Sequence, residues 1–193
     1  LQRIDAATAL GQTVADALAH RMTIVAAHTN LDTAAGGLND LLAARIGLEN
    51  TAALDPGPED RTGLGRIGDV VPPVSLPDFV RRIKERLGVS AVRVAGDPGG
   101  DIARAAVCTG SGGSLMSAFF ASGAQAFVSG DLRYHDARDA ESAGRTLIDI
   151  GHFGSEHLMV DALAERLKEA VDRHRLSVAV EACRIESDPF RRL

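Results

Sequence analysis

Tryptophan is absent, and aromatic residues make up only 4% of the chain. That is too few for a groove on which single-stranded nucleic acid could stack. Lysine and arginine number 21 against 26 aspartates and glutamates, a formal net charge of −5, and no basic block occurs. The basic face that a nucleic-acid backbone requires is missing, so no nucleic-acid partner is expected. Long apolar runs are also absent. The least polar stretch, Ser114 to Gly130, is broken by serine, glycine and glutamine, so it cannot span a bilayer as a helix. The only cysteines, Cys108 and Cys183, lie in the strand-like runs ArgAlaAlaValCys and ValAlaValGluAlaCys and lack CxxC spacing. They read as buried free thiols rather than a disulfide, which places the protein in a reducing, cytoplasmic setting.

What is present is an ordinary globular composition. The 193 residues are 45% hydrophobic and 24% charged, enough for one large domain or two small ones. The chain opens on LeuGlnArgIleAsp, with neither methionine nor a signal-peptide pattern. It reads as the continuation of a longer sequence.

Apolar residues at Ala9, Leu10, Val14, Ala17 and Leu18 predict a helix over Thr8–His20. Thr23–Ala27 predicts a buried strand, and Gly36–Ile46 a helix ended by Gly47. Asp55 to Gly65, rich in proline and glycine, marks a boundary or crossover. Beyond it strands and helices alternate. Strands are predicted at Leu64–Val71, Ala91–Ala95, Ile102–Cys108, Ala126–Ser129, Thr146–Ile150 and Ser177–Cys183. Helices are predicted at Leu76–Leu87, Leu115–Ser122, His135–Ala143 and Phe153–His174. This order implies an α/β fold with a largely parallel sheet, whose active groups gather at the carboxyl ends of the strands.

Three strands lead into chemically capable runs: His28-Thr29-Asn30-Leu31-Asp32, Gly130-Asp131-Leu132-Arg133-Tyr134-His135-Asp136 and Gly151-His152-Phe153-Gly154-Ser155-Glu156-His157. Four of the six histidines lie in them. His152 and Glu156 are spaced i, i+4, so on a helix they share a face and could grip one divalent ion. The same pair also suits a histidine at a helix start beside a carboxylate favoured by the dipole. His157, one residue further round, suits either packing or a supporting place behind the ligands. Asp32 fits either a ligand or a helix cap. His28 would project to its side of an extended segment.

The loop Thr109 to Ser114 joins a strand to a helix and could cradle an anion. It is not a dinucleotide fingerprint, because the third glycine of GxGxxG would fall at Leu115. No GxSxG elbow, Walker loop or HExxH motif occurs.

Five runs in order resemble one family. They are AlaHisThrAsnLeuAsp with GlyGlyLeuAsnAsp, GlyArgIleGly, CysThrGlySerGlyGlySer, SerGlyAspLeuArgTyrHisAsp and IleAspIleGlyHisPheGlySerGlu. Together they are similar to the NIF-three-like proteins, many of which carry the name GTP cyclohydrolase I type 2 homologue. The resemblance covers essentially the whole chain.

It implies two similar α/β lobes with a dinuclear metal site between them, in a toroidal homohexamer. Residues 1–58 would close a first, incomplete lobe, and residues 59–193 would form the second, in a short form without an inserted domain. It implies Asp32, His152 and Glu156 as metal ligands, with His28 and His135 lining the site. The family's HisHisPro segment, the source of two further ligands, lies before the part resembling Leu1–Asp5 and is not in this chain. The metals, two divalent ions per subunit, would be zinc, iron or manganese.

The implied function is a metal-dependent hydrolase of a nucleotide-like substrate, GTP ring opening in its specific version. His135 would shuttle a proton, and Arg133 or the Gly110–Ser114 loop would meet a phosphate. The alternative is a non-enzymatic metal-binding, chaperone or interaction protein. Because strand ends meet along one sheet edge, Asp32, His152 and Glu156 should converge to within about 6 Å.

Overall fold

The central strands are apolar on both faces, and that decides the layering. In the computed structural model, which describes residues 4–59 and 62–190, β4 (Ile102–Ser111), β5 (Ala126–Gly130) and β6 (Thr146–Asp149) pair in parallel. Val107, Val128 and Ile148 align in register and join one core cluster. Their neighbours Ala106, Phe127 and Leu147 align likewise and join a second cluster. A strand with helices over both faces reads as a continuous hydrophobic run, as these do.

The first cluster lies under α3 (Leu38–Ile46) and α4 (Leu76–Leu87), which contribute Leu42, Ile46, Phe79 and Ile83. Ser75 caps α4 by accepting from the Asp78 N–H, and Gly88 ends it in the left-handed region. Phe79 and Ile83 are fully buried, each stabilising the fold by about 1.5–3 kcal/mol. The second cluster lies under α5 (Met116–Ala121) and α6 (Tyr134–Ser142), with Phe119 and Phe127 stacked at 5.2 Å between centroids. The result is three layers, helix–sheet–helix.

The sheet is mixed rather than largely parallel. Its order is β1-β2-β4-β5-β6-β3, with β1 (Leu48–Pro56), β2 (Gly63–Val74) and β3 (Arg93–Ala95) all antiparallel to their neighbours. The Asp55–Gly65 stretch, whose residues 60–61 lie outside those described, is the tip of the β1–β2 hairpin. A connection this short joins antiparallel strands only. The 58/59 position therefore falls in the turn of a hairpin whose two strands share one sheet. Residues 1–3, at the start of the Leu1–Asp5 segment, also lie outside the described part.

Two expected strands are not formed. Residues 22–27 and 176–188 have no regular structure and do not join the sheet. Their composition suits strands, but a strand needs a neighbour's N–H and C=O groups. Ile24, Val25, Val178 and Ile185 are instead exposed. Helix α1 (Ala9–Ala19) forms as predicted, yet Leu10 and Leu18 face outward. The long C-terminal helix is interrupted at His157–Leu158, where both residues take the tighter dihedrals of a 3₁₀ turn. This separates α7 (His152–Glu156) from α8 (Met159–Arg173). No helix among the described residues is long and apolar enough to cross a membrane.

Cys108 is buried on β4, as expected, but Cys183 is exposed because its stretch forms no strand. Burial pushes the Cys108 thiol up to about 12, with the nearby Asp32 and Glu156 carboxylates adding to the effect. The native protein should therefore release one thiol to Ellman's reagent quickly and the second only in denaturant. Rapid reaction of both thiols would contradict the placement of Cys108.

Candidate metal site

The carboxyl ends of β4, β5 and β6 meet at two glycines. Gly110, at φ +62°, passes beneath α7, where a Cβ would overlap the Glu156 carboxylate and lie 3.3 Å from Cε1 and Nε2 of His152. At Gly130 a Cβ would lie 2.7 Å from the Gly151 carbonyl carbon and the His152 nitrogen, and 2.8 Å from the Gly110 oxygen. Buried Ser155 fastens the arrangement. Its Oγ accepts from the Gly110 N–H at 2.8 Å and donates to the His152 carbonyl at 2.8 Å. The first turn of α7 is thereby fixed over the end of β4.

His152 and Glu156 meet as their spacing predicts, with Nε2 3.2 Å from Oε1. The other ring nitrogen, Nδ1, lies 2.8 Å from Oδ2 of Asp131. The Asp131 hydrogen bond holds the imidazole above its ordinary range and Glu156 adds to this, against partial desolvation that works the other way.

Asp32 arrives from the opposite end of the chain. It lies in α2 (Thr29–Thr33), so the segment is helical rather than extended, and exposed His28 stands at the N-cap. The Asp32 carboxylate accepts from Thr109 Oγ1 at 3.3 Å, one residue from Gly110. Fully buried Asn39 secures this contact. It donates to the Asp32 carbonyl at 3.1 Å and accepts from the Thr109 N–H at 2.9 Å. Asp32 and Glu156 thus flank adjoining residues of β4. Among the described residues, however, no three His, Cys, Asp or Glu side chains gather closely enough to hold an ion.

The other predicted residues lie further out. His135, in the first turn of α6, is exposed and edge-on to Tyr134 at 5.6 Å. His157 packs, stacking on Phe153 at 4.4 Å. Arg133 is engaged by Asp136 through two contacts of 3.0 Å, and the guanidinium holds that carboxyl below the usual range.

Two acids escaped the sequence reading. Asp131 looks like any polar residue after a strand, and its partner lies 21 positions away. Asp149 ends β6, with its side chain almost fully buried. It accepts from the Leu132 N–H at 3.2 Å and the Gly151 N–H at 2.9 Å, and pairs with Arg93. Its one signal was an acid inside the apolar run LeuIleAspIle, where an unpaired charge would be costly. Beside the His152–Glu156 pair opens a cavity of about 750 Å³, lined in part by Asp131, Phe153, His157, Met159 and Val160.

The chain is similar to curated relatives and to solved structures. A "GTP cyclohydrolase 1 type 2 homolog" of Streptomyces coelicolor is 34% identical over 193 residues, 97% of this chain and 68% of the relative. A protein of the same name from Clostridium perfringens is 32% identical over 166 residues, 86% of this chain and 63% of the relative. The chain thus spans about two thirds of the length of these relatives. The crystal structure of Staphylococcus aureus hypothetical protein SA1388 superposes with a TM-score of 0.89 at 28% identity, covering 100% of this chain and 76% of that one. The Duf34/NIF3 (NGG1p interacting factor 3) family model matches residues 1–189, and the chain belongs to that family.

Proposed function

We propose that this chain is part of a dinuclear metal-dependent hydrolase acting on a nucleotide-like substrate, with GTP ring opening as its specific form. The observation that carries the reading is the imidazole–carboxylate pair, 3.2 Å apart over Gly110, at the carboxyl edge of the sheet. The donors suit a divalent ion in their chemistry, though Asp32 would have to close on the His152–Glu156 pair. A neutral imidazole and carboxylates suit zinc, iron or manganese, and the absent Cβ at Gly110 keeps the space beside both donors clear.

Asp32, His152 and Glu156 would hold the metal. Bound there, it would lower the pKa of a water toward neutrality and polarise a substrate oxygen or ring carbon. The chain's own groups do the rest. The adjacent cavity of about 750 Å³ is of a size to take a nucleotide. Phe153, already stacked on His157, offers it an aromatic surface. His135 would exchange a proton with the substrate, and the Gly110–Ser114 loop would meet a phosphate.

On this reading the subunits form a cytoplasmic homohexamer. A second reading keeps the metal but has no turnover: a chaperone or interaction protein. The exposed Ile24, Val25, Val178 and Ile185 favour it, since they offer apolar surface to a partner.

The test is to load the full-length protein with zinc, manganese or iron, count the ions by elemental analysis, and assay GTP and phosphoesters at steady state. Two ions per subunit with turnover is the expected result, alongside a hexamer by light scattering. Metal without turnover supports the second reading. A protein that takes up no metal overturns both.

A further inference from the structure

We propose that Asp131 is a positioning residue that fixes the ring and tautomer of His152, so that Nε2 presents its lone pair to a divalent cation beside Glu156. This rests on the metal reading above and extends it to a residue outside the ligand set.

Asp131 sits at φ +51°. A non-glycine residue rarely occupies the left-handed region, and doing so costs about 1 kcal/mol. Packing does not explain the strain, because the carboxylate is 53% exposed. What the strained backbone achieves is direction: it aims Oδ2 at Nδ1 of His152, 2.8 Å away.

The surroundings enforce the arrangement. The buried Asp149 carboxylate accepts from the Leu132 N–H with one oxygen and from the Gly151 N–H with the other. A single side chain therefore ties the loop carrying Asp131 to the loop carrying His152. Gly130 allows the two backbones to touch.

The chemistry follows from the acceptor. An ionised carboxylate accepts only, so Nδ1 must carry the hydrogen. In the neutral ring Nε2 is then a bare lone pair, directed at the side where Glu156 Oε1 lies 3.2 Å away. His152 and Glu156 would together hold one divalent ion there, as an imidazole and a carboxylate on one helix face can. Orienters of this kind set the tautomer and raise ligand basicity, and losing one typically costs about 10- to 100-fold in metal affinity.

Three variants test the proposal in the full-length protein: Asp131→Asn, Asp131→Ala and Asp131→Gly. Long-range ¹⁵N–¹H NMR of the metal-free protein, with the ring neutral, should show hydrogen on Nδ1 of His152 in the parent and in Asp131→Asn. It should move toward Nε2 in the other two. Competition with a chromophoric chelator should show zinc binding weakened about 10- to 100-fold in Asp131→Ala and Asp131→Gly. Asp131→Asn, whose amide oxygen accepts the same bond, should stay within a few-fold of the parent.

Asp131→Gly should melt no lower than the parent, because glycine takes φ +51° without strain. A loss of affinity in that variant therefore cannot be ascribed to misfolding. A tautomer indifferent to Asp131, or zinc bound equally by the parent and Asp131→Gly, would overturn the proposal. A parent that binds no zinc sinks the metal reading instead, while a tautomer that follows Asp131 still upholds the positioning.

Discussion

Glu156→Gln is expected to keep the melting temperature of the parent and to lose zinc affinity by about a hundredfold or more. The substitution removes a carboxylate charge and almost no volume, from a side chain that is already 36% exposed. No buried group is left without a partner, since Ser155 rather than Glu156 fastens α7 to Gly110. Ion content after dialysis and a thermal melt measure the two halves of the expectation. Asp32→Asn should lower affinity as well, because its carboxylate lies on Thr109 beside the same glycine. Unchanged metal content in Glu156→Gln would reduce the pair to an ion pair at a helix start and remove the basis for hydrolysis.

Arg66→Ala is expected to destabilise the fold by about 3–5 kcal/mol. The Arg66 side chain is 2% exposed and meets Asp40 with two nitrogens, at 2.6 and 2.9 Å. It also donates to the carbonyls of Gly63, Gly65 and Ala34. Truncation leaves those acceptors without the donor and the Asp40 carboxylate with only the Gly36 N–H, and opens a void. Arg66→Lys should recover only part of the loss, since an ammonium cannot reproduce the planar fork. Urea unfolding should show a lower midpoint with an unchanged slope. A loss below about 1 kcal/mol would mean that the pair is a solvated contact. Because Ala34 and Asp40 bracket the entry to α3, the same variant should loosen Asp32 and weaken metal binding.

Helix α4 was legible to the residue, because its serine cap, its terminal glycine and its apolar spacing all lie within the segment itself. The His152–Glu156 pair was legible for the same reason: one turn of helix sets it. Strand β1 was not. It carries GluAsnThr at a largely exposed sheet edge, so no apolar alternation marks it. The runs at 23–27 and 177–183 show the converse, strand composition without a strand to pair with. The antiparallel edges escaped because pairing direction depends on where the chain returns, which composition does not encode. Asp131 escaped because His152 lies 21 positions away, and Asp149 because Leu132 and Arg93, two of its three partners, lie 17 and 56 positions away. No local spacing reports a contact of that kind.

The placement of the site also has an order in time. Gly110, Asp131, Asp149, His152 and Glu156 all come from one continuous stretch, Ile102 to Glu156, whose strands β4, β5 and β6 are neighbours in both sequence and sheet. Such contacts close short loops and form early in folding. Asp32 is synthesised well before this stretch exists, and it finds Thr109 across 77 positions. As the chain leaves the ribosome, the acid must wait for the histidine and glutamate to be made and seated. The contact of Asp32 with Thr109 is therefore the last of these to close.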